Sequence, residues 1–350
     1  MKPLFHINDL HLGAIRTGGT TPATAMQLRA NLLADYGGLL DMAGTDDVLI
    51  NGDWLDTAAI PLSDLLQIYK ITAAWLECSY KPVPTLYASR GNHDMTKNSA
   101  VLSSFDILCE LLSLSFPGQV VVIKEGTTID EGVYVIPHVA NQDLFELELS
   151  KVPADTKYLF LHCNVSNNFA AKSDHSLNLS LEQAATLKVE KIIVAHEHQR
   201  REYLDNKVLI VGNQVPSSVA DCLGNDMKYA LRITDSGIEW LPTWTREGCF
   251  AELDWQMLQP LGITDFVRVV GKATAAQASD VITAISSFRK HSESLVITNA
   301  VEVEGTNDGE SLQVSLEQIR SFSVLEELLK ILNEEERATV TALLEKHNNV

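Results

Sequence analysis

Acidic, amide and imidazole side chains follow several apolar runs of this sequence. Asp9 and His11 come just after the run LFHI (4–7). The arrangement recurs four times: Asp53 and Asp56 follow DVLI (47–50), Asn92, His93 and Asp94 follow TLYA (85–88), His162 follows YLFL (158–161), and His196 and His198 follow KIIVA (191–195). One such pair alone would be an acid that caps a turn beside an incidental histidine. The ordered series predicts a divalent-cation site.

These oxygen and nitrogen donors, without a thiolate, suit ions such as Mn²⁺, Fe²⁺ or Zn²⁺. One ion could not use so many ligands and still leave positions open for water and substrate. Two ions that share a bridging carboxylate could. A pair of ions about 3.5–4 Å apart is the arrangement that hydrolyses phosphate esters. The series therefore favours a two-ion centre.

The apolar runs that precede these residues read as buried strands. Between them, residues 25–43 and 62–78 carry apolar residues at helical spacing. Alternating strands and helices indicate a layered α/β domain, in which ligands bind beyond the carboxyl ends of the strands. His6 lies inside the first run, which favours a core position for it.

The pattern changes near residue 245. Residues 265–304 read as a small strand–helix–strand unit, followed by the polar, glycine-containing stretch EGTNDGES (304–311). We therefore expect a main domain over 1–245 and a small domain over 246–304. A linker over 305–319 and an acidic helical segment over 320–350 would follow.

The composition narrows the function classes. The net charge of −19 argues against an extended basic surface for nucleic acid, although bound cations or a partner could supply positive charge. No apolar run reaches the roughly 18–20 residues of a membrane span, and no signal peptide is evident. Five scattered cysteines without a CxxC pair argue against a disulfide framework. We expect a cytoplasmic protein without a membrane segment.

The strand-end motifs DLH, GDWLD, GNHD, a lone histidine and AHEH resemble the five signature motifs of the calcineurin-like metallophosphoesterases. The resemblance implies an α/β fold, a layered α/β/β/α sandwich with a small α/β capping domain and a C-terminal helical tail. It also implies roles: a first ion on Asp9, His11 and His198, a second on Asn92, His162 and His196, a bridging Asp53, and a catalytic His93 oriented by Asp94. Two positions depart from the family pattern, Ala195 in place of glycine and Asn8 in place of serine or threonine.

Within the family, the sequence is most similar to the SbcD-type DNA repair nucleases, cellular or phage-encoded. DLHLG and GDWLDTA carry this likeness, with Asp56 where some relatives have histidine. The small unit at 265–304 stands where that branch has a capping domain that contacts DNA. Arg200 follows the fifth motif, where it could meet a phosphate backbone or be a solvated surface charge.

The resemblance also implies protein partners. In this branch a C-terminal helical segment docks on an SbcC-type ATPase, and here Leu325, Leu328, Leu329 and Leu332 form one apolar stripe. The alternative is that the stripe packs on its own domain. The helices expected at 62–78 and 104–115 lie where the branch forms a homodimer, although ordinary core packing would explain their apolar faces equally well.

The sequence therefore predicts a nuclease subunit with two divalent ions that acts with an ATPase in double-strand break repair or recombination. Mn²⁺ is the first choice of metal, with Mg²⁺, Fe²⁺ and Zn²⁺ as alternatives. The resemblance implies 3′-to-5′ exonuclease and endonuclease activity. One alternative is a phosphatase or phosphodiesterase for small phosphate esters or phosphoproteins. Another is an assembly subunit with a vestigial metal site.

Overall fold

Two six-stranded sheets form the centre of the fold. The computed structural model describes residues 2–77, 83–96, 101–166, 177–259 and 264–304. The strands of the first sheet are β1 (Leu4–Ile7), β2 (Asp47–Asn51), β3 (Leu86–Ser89), β4 (Val120–Ile123), β13 (Met227–Thr234) and β14 (Gly237–Thr245). Those of the second are β5 (Thr127–Asp130), β6 (Val133–Ile136), β7 (Tyr158–His162), β10 (Lys191–Ala195), β11 (Arg201–Tyr203) and β12 (Val208–Ile210). Two short strands, β8 (Asn164–Val165) and β9 (Asn178–Leu179), pair separately.

Each large sheet has a parallel centre. The first runs in the order β14-β13-β1-β2-β3-β4, with β1 to β4 parallel and the β13–β14 hairpin antiparallel. The second runs in the order β11-β12-β10-β7-β6-β5, with β12, β10, β7 and β6 parallel. Because β1, β2, β3, β7 and β10 are parallel strands, the loops after them gather at the carboxyl edges of the two sheets.

The two sheets pack face to face through apolar side chains. One buried cluster joins Leu49 of β2 to Phe160 of β7 and Ile193 of β10. A second cluster packs helices on the outer face of the first sheet, and a third packs helices on the outer face of the second. The predicted α/β/β/α sandwich is therefore confirmed.

Four of the described helices begin after a residue whose side chain caps them. The helices are α1 (Pro22–Ala43), α2 (Leu62–Glu77), α3 (Ser104–Ser115), α4 (Gln142–Ser150), α5 (Leu181–Thr186) and α6 (Ala278–His291). Thr21, Ser103 and Ser180 each form a capping box. Helix α1 begins three residues before the predicted start because Thr21 caps it and Pro22 fills its first turn.

Residues beyond 245 build a small parallel sheet. Its strands are β15 (Phe250–Asp254), β16 (Phe266–Val270) and β18 (Val296–Asn299), and β17 (Lys272–Thr274) pairs with β19 (Glu302–Glu304). Helix α6 covers this sheet with its own buried cluster.

The small sheet is attached to the main core. Phe250, Phe266 and Val296 belong to the large cluster on the helical face of the first sheet. The Ile297 amide donates to the Gly19 carbonyl at 2.8 Å. The described residues up to Val303 accordingly group into one compact unit.

Several predictions concern residues outside this description. The linker over 305–319, the helical segment over 320–350 and the leucine stripe all lie beyond the described residues, and the domain boundary near 245 stays a prediction. Among the described residues, no helix combines the length and apolar character needed to cross a membrane.

Candidate metal centre

The loops after β1 and β2 hold the first functional side chains side by side. The Asp9 amide donates to the Gly52 carbonyl at 3.1 Å, and the His11 amide donates to the Asp53 carbonyl at 3.0 Å. These bonds continue the parallel pairing of the two strands beyond their ends. The three candidate ligands of these loops are therefore fixed by backbone contacts, not only by side-chain packing.

One donor cluster contains Asp9, His11 and His198, whose ligand atoms all lie within 4.8 Å of one another. The Nε2 atoms of His11 and His198 are 3.1 Å apart. Asp9 Oδ1 is buried and has no hydrogen-bond partner among the described residues. With metal–nitrogen bonds of about 2.1 Å, two such nitrogens can bind one ion. An unsatisfied carboxylate oxygen beside them fits the same ion.

A second donor cluster contains Asp53, His162 and His196. Asp53 Oδ2 lies 3.4 Å from His162 Nε2. Asn92 joins the same group, because its Oδ1 is 3.0 Å from His162 Nε2 and 3.0 Å from His196 Nδ1. The structure thus brings together the four side chains that were predicted around the second ion.

Asp53 connects the two clusters. Its Oδ2 is 3.9 Å from His11 Nε2 of the first cluster and 3.4 Å from His162 Nε2 of the second. A carboxylate in this position can bind two ions at once. This is the position that the sequence predicted for the bridging ligand.

The charges of the centre favour a cation. Burial alone would raise the pKa of Asp53, but the charges of His162 and His11 hold it far below its ordinary value. Burial alone would lower the pKa of His162, but Asp53 and Asp9 raise it to about 9. Burial, together with His162, lowers the pKa of His196 to about 4, so this imidazole is neutral and can donate a lone pair. The donor set fits two divalent cations.

Two glycines allow these side chains to approach. A Cβ at Gly52 would overlap the ring of His162, and one at Gly91 would overlap the backbone and carboxylate of Asp53. Gly52 also has a φ of +84°, which side-chain-bearing residues adopt only with strain. The glycines of the second and third motifs are therefore required by space at the centre.

His93 lies exposed at the rim of this centre. Its amide donates to Asp53 Oδ1 at 2.9 Å, and its ring is 4.8 Å from that of His11 between centroids. Its ring Nδ1 is 2.5 Å from the Asp56 carbonyl oxygen, to which it can donate. The other ring nitrogen is then left for the reacting group.

The predicted partner of His93 is different in the structure. The sequence assigned Asp94 to orient His93, but the Asp56 carbonyl makes the hydrogen bond to the ring. Asp94 is fully buried and accepts from the amides of Gly91 at 2.9 Å and Leu55 at 3.0 Å. Burial and the charge of Asp53 raise the pKa of Asp94 to about 6. Asp94 therefore joins the second and third loops.

Asp56 faces the first cluster. Its Oδ1 lies 3.4 Å from His11 Nδ1, on the opposite side of the ring from the 3.1 Å approach to His198. Arg16 donates to the same oxygen at 3.1 Å. Asp56 is thus in contact with a candidate ligand and is not one itself.

Arg200 is engaged elsewhere. Its guanidinium stacks over Trp240 at 4.1 Å and Tyr229 at 5.3 Å, and it pairs with Glu202. Trp240 and Glu202 lie on the edge strands β14 and β11, and Tyr229 lies on β13. Among the described residues, the side-chain contacts of Arg200 do not include a donor-cluster residue, and its part in substrate binding stays a prediction.

The two departures from the family pattern are both accommodated. Ala195 is the last residue of β10, and the positive φ of 91° falls on His196 instead, so no glycine is needed at 195. Asn8 donates to Asp9 Oδ2 at 2.6 Å and to the Gly212 carbonyl at 3.0 Å. The amide at position 8 therefore fixes one oxygen of Asp9 and leaves the other free.

Sequence reasoning missed the residue that holds His198. Asp221 Oδ1 accepts from His198 Nδ1 at 2.8 Å, while its Oδ2 accepts from the amides of Ser217 and Ser218. Burial alone would raise the pKa of Asp221, but His198 holds it well below its ordinary value. No motif of the sequence marks this residue.

Comparison with known proteins agrees with this geometry. Residues 2–200, more than half of the chain, match the calcineurin-like phosphoesterase family, and this stretch contains all five motifs. No curated protein matches the sequence. The crystal structure of TT1561 of Thermus thermophilus is similar at 12% identity over 69% of this chain and 99% of that one, with a TM-score of 0.42, which is too low to carry an argument. The match over the motif-bearing residues places this chain in the calcineurin-like phosphoesterase family, whose members are metal-dependent hydrolases.

Proposed function

We propose that this chain is a two-metal phosphodiesterase that cleaves DNA, as the nuclease subunit of an SbcCD-like complex in double-strand break repair or recombination. The observation that carries the proposal is the pair of donor clusters connected by Asp53, with His93 exposed beside them. A carboxylate in the place of Asp53 would let two cations act together on a phosphate ester.

The residues have separable tasks in this mechanism. When bound, the two cations would polarise the phosphate ester and lower the pKa of a water, which could then act as the nucleophile at neutral pH. His93 is held through Nδ1 by the Asp56 carbonyl, so its Nε2 can donate a proton to the leaving oxygen. Asp53 fixes the backbone of His93 through the 2.9 Å hydrogen bond, which places this donor next to the shared ligand.

DNA is the favoured substrate because of the likeness of the DLHLG and GDWLDTA motifs to SbcD-type nucleases. The small sheet after residue 245, attached beside the main core, is in the chain position of the DNA-contacting domain of that branch. We propose that the C-terminal segment 320–350 recruits an SbcC-type ATPase and that Mn²⁺ is the native metal. A net charge of −19 supports a subunit whose grip on DNA is supplied partly by a partner.

Nuclease assays on linear duplex and single-stranded circular DNA, with Mn²⁺, Mg²⁺ or EDTA, test the proposal. We expect cleavage with Mn²⁺, none with EDTA, and a loss of about 10²–10⁴-fold for His93→Ala, the range for a lost general acid. His291→Ala is the matched control, because His291 is an exposed histidine on α6 far along the chain from the motifs.

The same assays distinguish the alternative. Hydrolysis of bis-nitrophenyl phosphate without DNA cleavage, even with an SbcC-type ATPase added, would identify a phosphatase or phosphodiesterase for small esters. Absence of any metal-dependent hydrolysis would favour the remaining hypothesis, an assembly subunit with a vestigial metal site. Removal of residues 320–350 should abolish capture of the ATPase and retain hydrolysis of the small ester.

A further inference from the structure

A chain of polar side-chain contacts connects Nδ1 of His11 with Nδ1 of His198 in the first donor cluster. These are the ring nitrogens on the side away from the 3.1 Å approach of the two Nε2 atoms. Arg16 is the central residue of the chain. One guanidinium nitrogen of Arg16 donates to Asp56 Oδ1 at 3.1 Å and to Ser217 Oγ at 3.2 Å. Asp56 Oδ1 in turn faces His11 Nδ1 at 3.4 Å.

The other arm of the chain reaches His198. Ser217 Oγ donates to Asp221 Oδ2 at 3.1 Å, and Asp221 Oδ1 accepts from His198 Nδ1 at 2.8 Å. The two imidazoles then face each other through their Nε2 atoms at 3.1 Å. The contacts form a ring that closes at the point where an ion would be bound.

The residues of this ring differ in burial and in the number of arms that they contact. Asp56, Ser217 and Asp221 are buried, whereas Arg16 is half-buried and lies where the loop after β1 meets the loop before β13. Arg16 is the one residue of the ring that contacts both arms. Without it, each histidine would still have its own acid, but Asp56 would no longer be connected to Asp221 through Ser217.

We propose that Arg16 is a positioning residue for the first metal ion, because it holds the acids behind His11 and His198 in one geometry. This inference rests on the two-ion centre of the proposed function. Residues that orient metal-binding histidines typically change metal affinity by about 10–100-fold when they are lost.

Electrostatics alone predicts the opposite change in Mn²⁺ affinity when Arg16 is replaced. The direction of the change therefore decides between the two explanations. Removal of a positive charge close to a cation site should strengthen cation binding. A positioning role predicts weaker binding in spite of that gain. Arg268 provides the matched control, because it lines the same cleft as Arg16 but pairs with Glu252 on the small sheet.

The experiment is a calorimetric titration of the full-length, metal-free chain with Mn²⁺, compared among wild type, Arg16→Met, Arg16→Lys and Arg268→Met. We expect two binding events in wild type and Arg268→Met. In Arg16→Met one event should weaken by about 10–100-fold, and in Arg16→Lys, which keeps the charge without the two-acceptor geometry, by less. Ser217→Ala breaks the same ring without a change of charge and should weaken the same event.

Three outcomes would overturn the inference. Unchanged or tighter Mn²⁺ binding in Arg16→Met with folded protein, or no effect of Ser217→Ala, would show that the ring does not position the histidines. A raised KM for bis-nitrophenyl phosphate with unchanged Mn²⁺ affinity would make Arg16 a substrate contact. Absence of Mn²⁺ binding in wild type would instead contradict the proposed function itself.

Discussion

Backbone strain is concentrated at the candidate ligands. Asp9, His11 and Asp53 have φ values of 46–50°, and His196 has 91°. They are four of the eight non-glycine residues with positive φ among the described residues. Such conformations cost about 1–3 kcal/mol each and persist where surrounding contacts enforce them. Here the backbone bonds between the loops after β1 and β2 supply that enforcement, so the centre is held ready for cations by the fold.

Gly91 should not tolerate a methyl group. A Cβ there would overlap the backbone nitrogen of Asp53, which cannot move without its strand. We expect Gly91→Ala to lower the free energy of unfolding by about 1–3 kcal/mol and to weaken Mn²⁺ binding at both ions, since Asp53 is shared. Urea unfolding and Mn²⁺ titration measure the two effects. Gly38→Ala, in open space on α1, is the control and should be neutral or slightly stabilising.

Substitution of Asp94 should lower the free energy of unfolding more than it affects the proton donor His93. Asp94 accepts backbone amides from two loops, and in Asp94→Ala these buried donors lose their acceptor. We expect a loss of about 3 kcal/mol in urea unfolding carried out in EDTA, where metal binding does not contribute. Asp94→Asn, which keeps an accepting oxygen, should lose less.

A different result would restore the role that the sequence assigned to Asp94. If Asp94→Ala were as stable as wild type in EDTA but as inactive as His93→Ala, then Asp94 would act through His93 during turnover. The two readouts separate loop anchoring from orientation of the donor.

The residues that the sequence identified are those attached to strand ends. A run of apolar residues followed by aspartate or histidine can be recognised in a short stretch of sequence. Asp9 and His162 could therefore be predicted at strand ends without knowledge of the fold. Asp221 and Arg16 were not predicted, because their contacts bridge 23 and 40 or more positions of sequence and no adjacent motif marks them. The hydrogen bond between the His93 ring and the Asp56 carbonyl was not predicted for a related reason: a backbone carbonyl has no sequence signature.

At the scale of elements, β1 is buried on both sides and carries a histidine there. His6 is fully buried, its ring is 5.1 Å from that of Phe160, and both ring nitrogens lack a hydrogen-bond partner among the described residues. Burial lowers the pKa of His6 from 6.5 to about 3, although Asp9 offsets part of this effect. The core position predicted from the sequence is thus confirmed, and the strand holds a neutral imidazole.

This imidazole should make the fold sensitive to acid. Because the folded pKa lies below the unfolded one, the unfolded chain binds the proton first, and stability falls as pH falls from about 6.5 toward 3. At pH 4.5 the expected loss is about 2–3 kcal/mol. Urea unfolding in EDTA at pH 7.5 and 4.5 should show a smaller difference for His6→Leu than for wild type.

His291→Gln is the control for this comparison, since His291 is exposed on α6 and should leave the pH dependence as it is in wild type. Equal pH dependence in wild type and His6→Leu would show that His6 does not contribute to acid sensitivity.

The elements that the sequence missed are those with mixed patterns. The β13–β14 hairpin contains Lys228 and Pro242, and its register shifts between Lys228 and Tyr229. These features interrupt the apolar alternation by which strands are recognised. The long helices and the parallel strands have uninterrupted patterns, and they were predicted to within a few residues.

At the scale of the whole molecule, helices α2 and α3 leave an apolar surface exposed. The two helices are in contact: the Ile60 amide, just before α2, donates to Ser104 Oγ at the start of α3, and the Tyr69 hydroxyl in the middle of α2 is 2.8 Å from the Ser115 hydroxyl at the end of α3. The exposed apolar side chains of this surface are Leu62, Leu66, Ile107, Leu111 and Leu114. The three residues of α3 have i, i+4 and i+7 spacing and the two of α2 have i and i+4 spacing, so those of each helix lie on one outward face.

This surface is the predicted site of the homodimer. We expect the wild-type chain to elute as a dimer in size-exclusion chromatography with light scattering at micromolar concentration. The double variant Leu66→Glu, Leu111→Glu should be a folded monomer, because two charges in the middle of an apolar interface have no partner there. Leu66 and Leu111 are 52% and 45% exposed, so the substitutions should not disturb the core of the monomer.

Ile282→Glu is the matched control, since Ile282 is 63% exposed on α6, away from the two helices. It should leave the dimer mass unchanged. A monomeric wild type, or a double variant that remains dimeric, would contradict the homodimer on this surface. If the double variant is a monomer that still hydrolyses bis-nitrophenyl phosphate, the catalytic centre is complete within one chain, as the donor clusters from five strand ends of a single chain require.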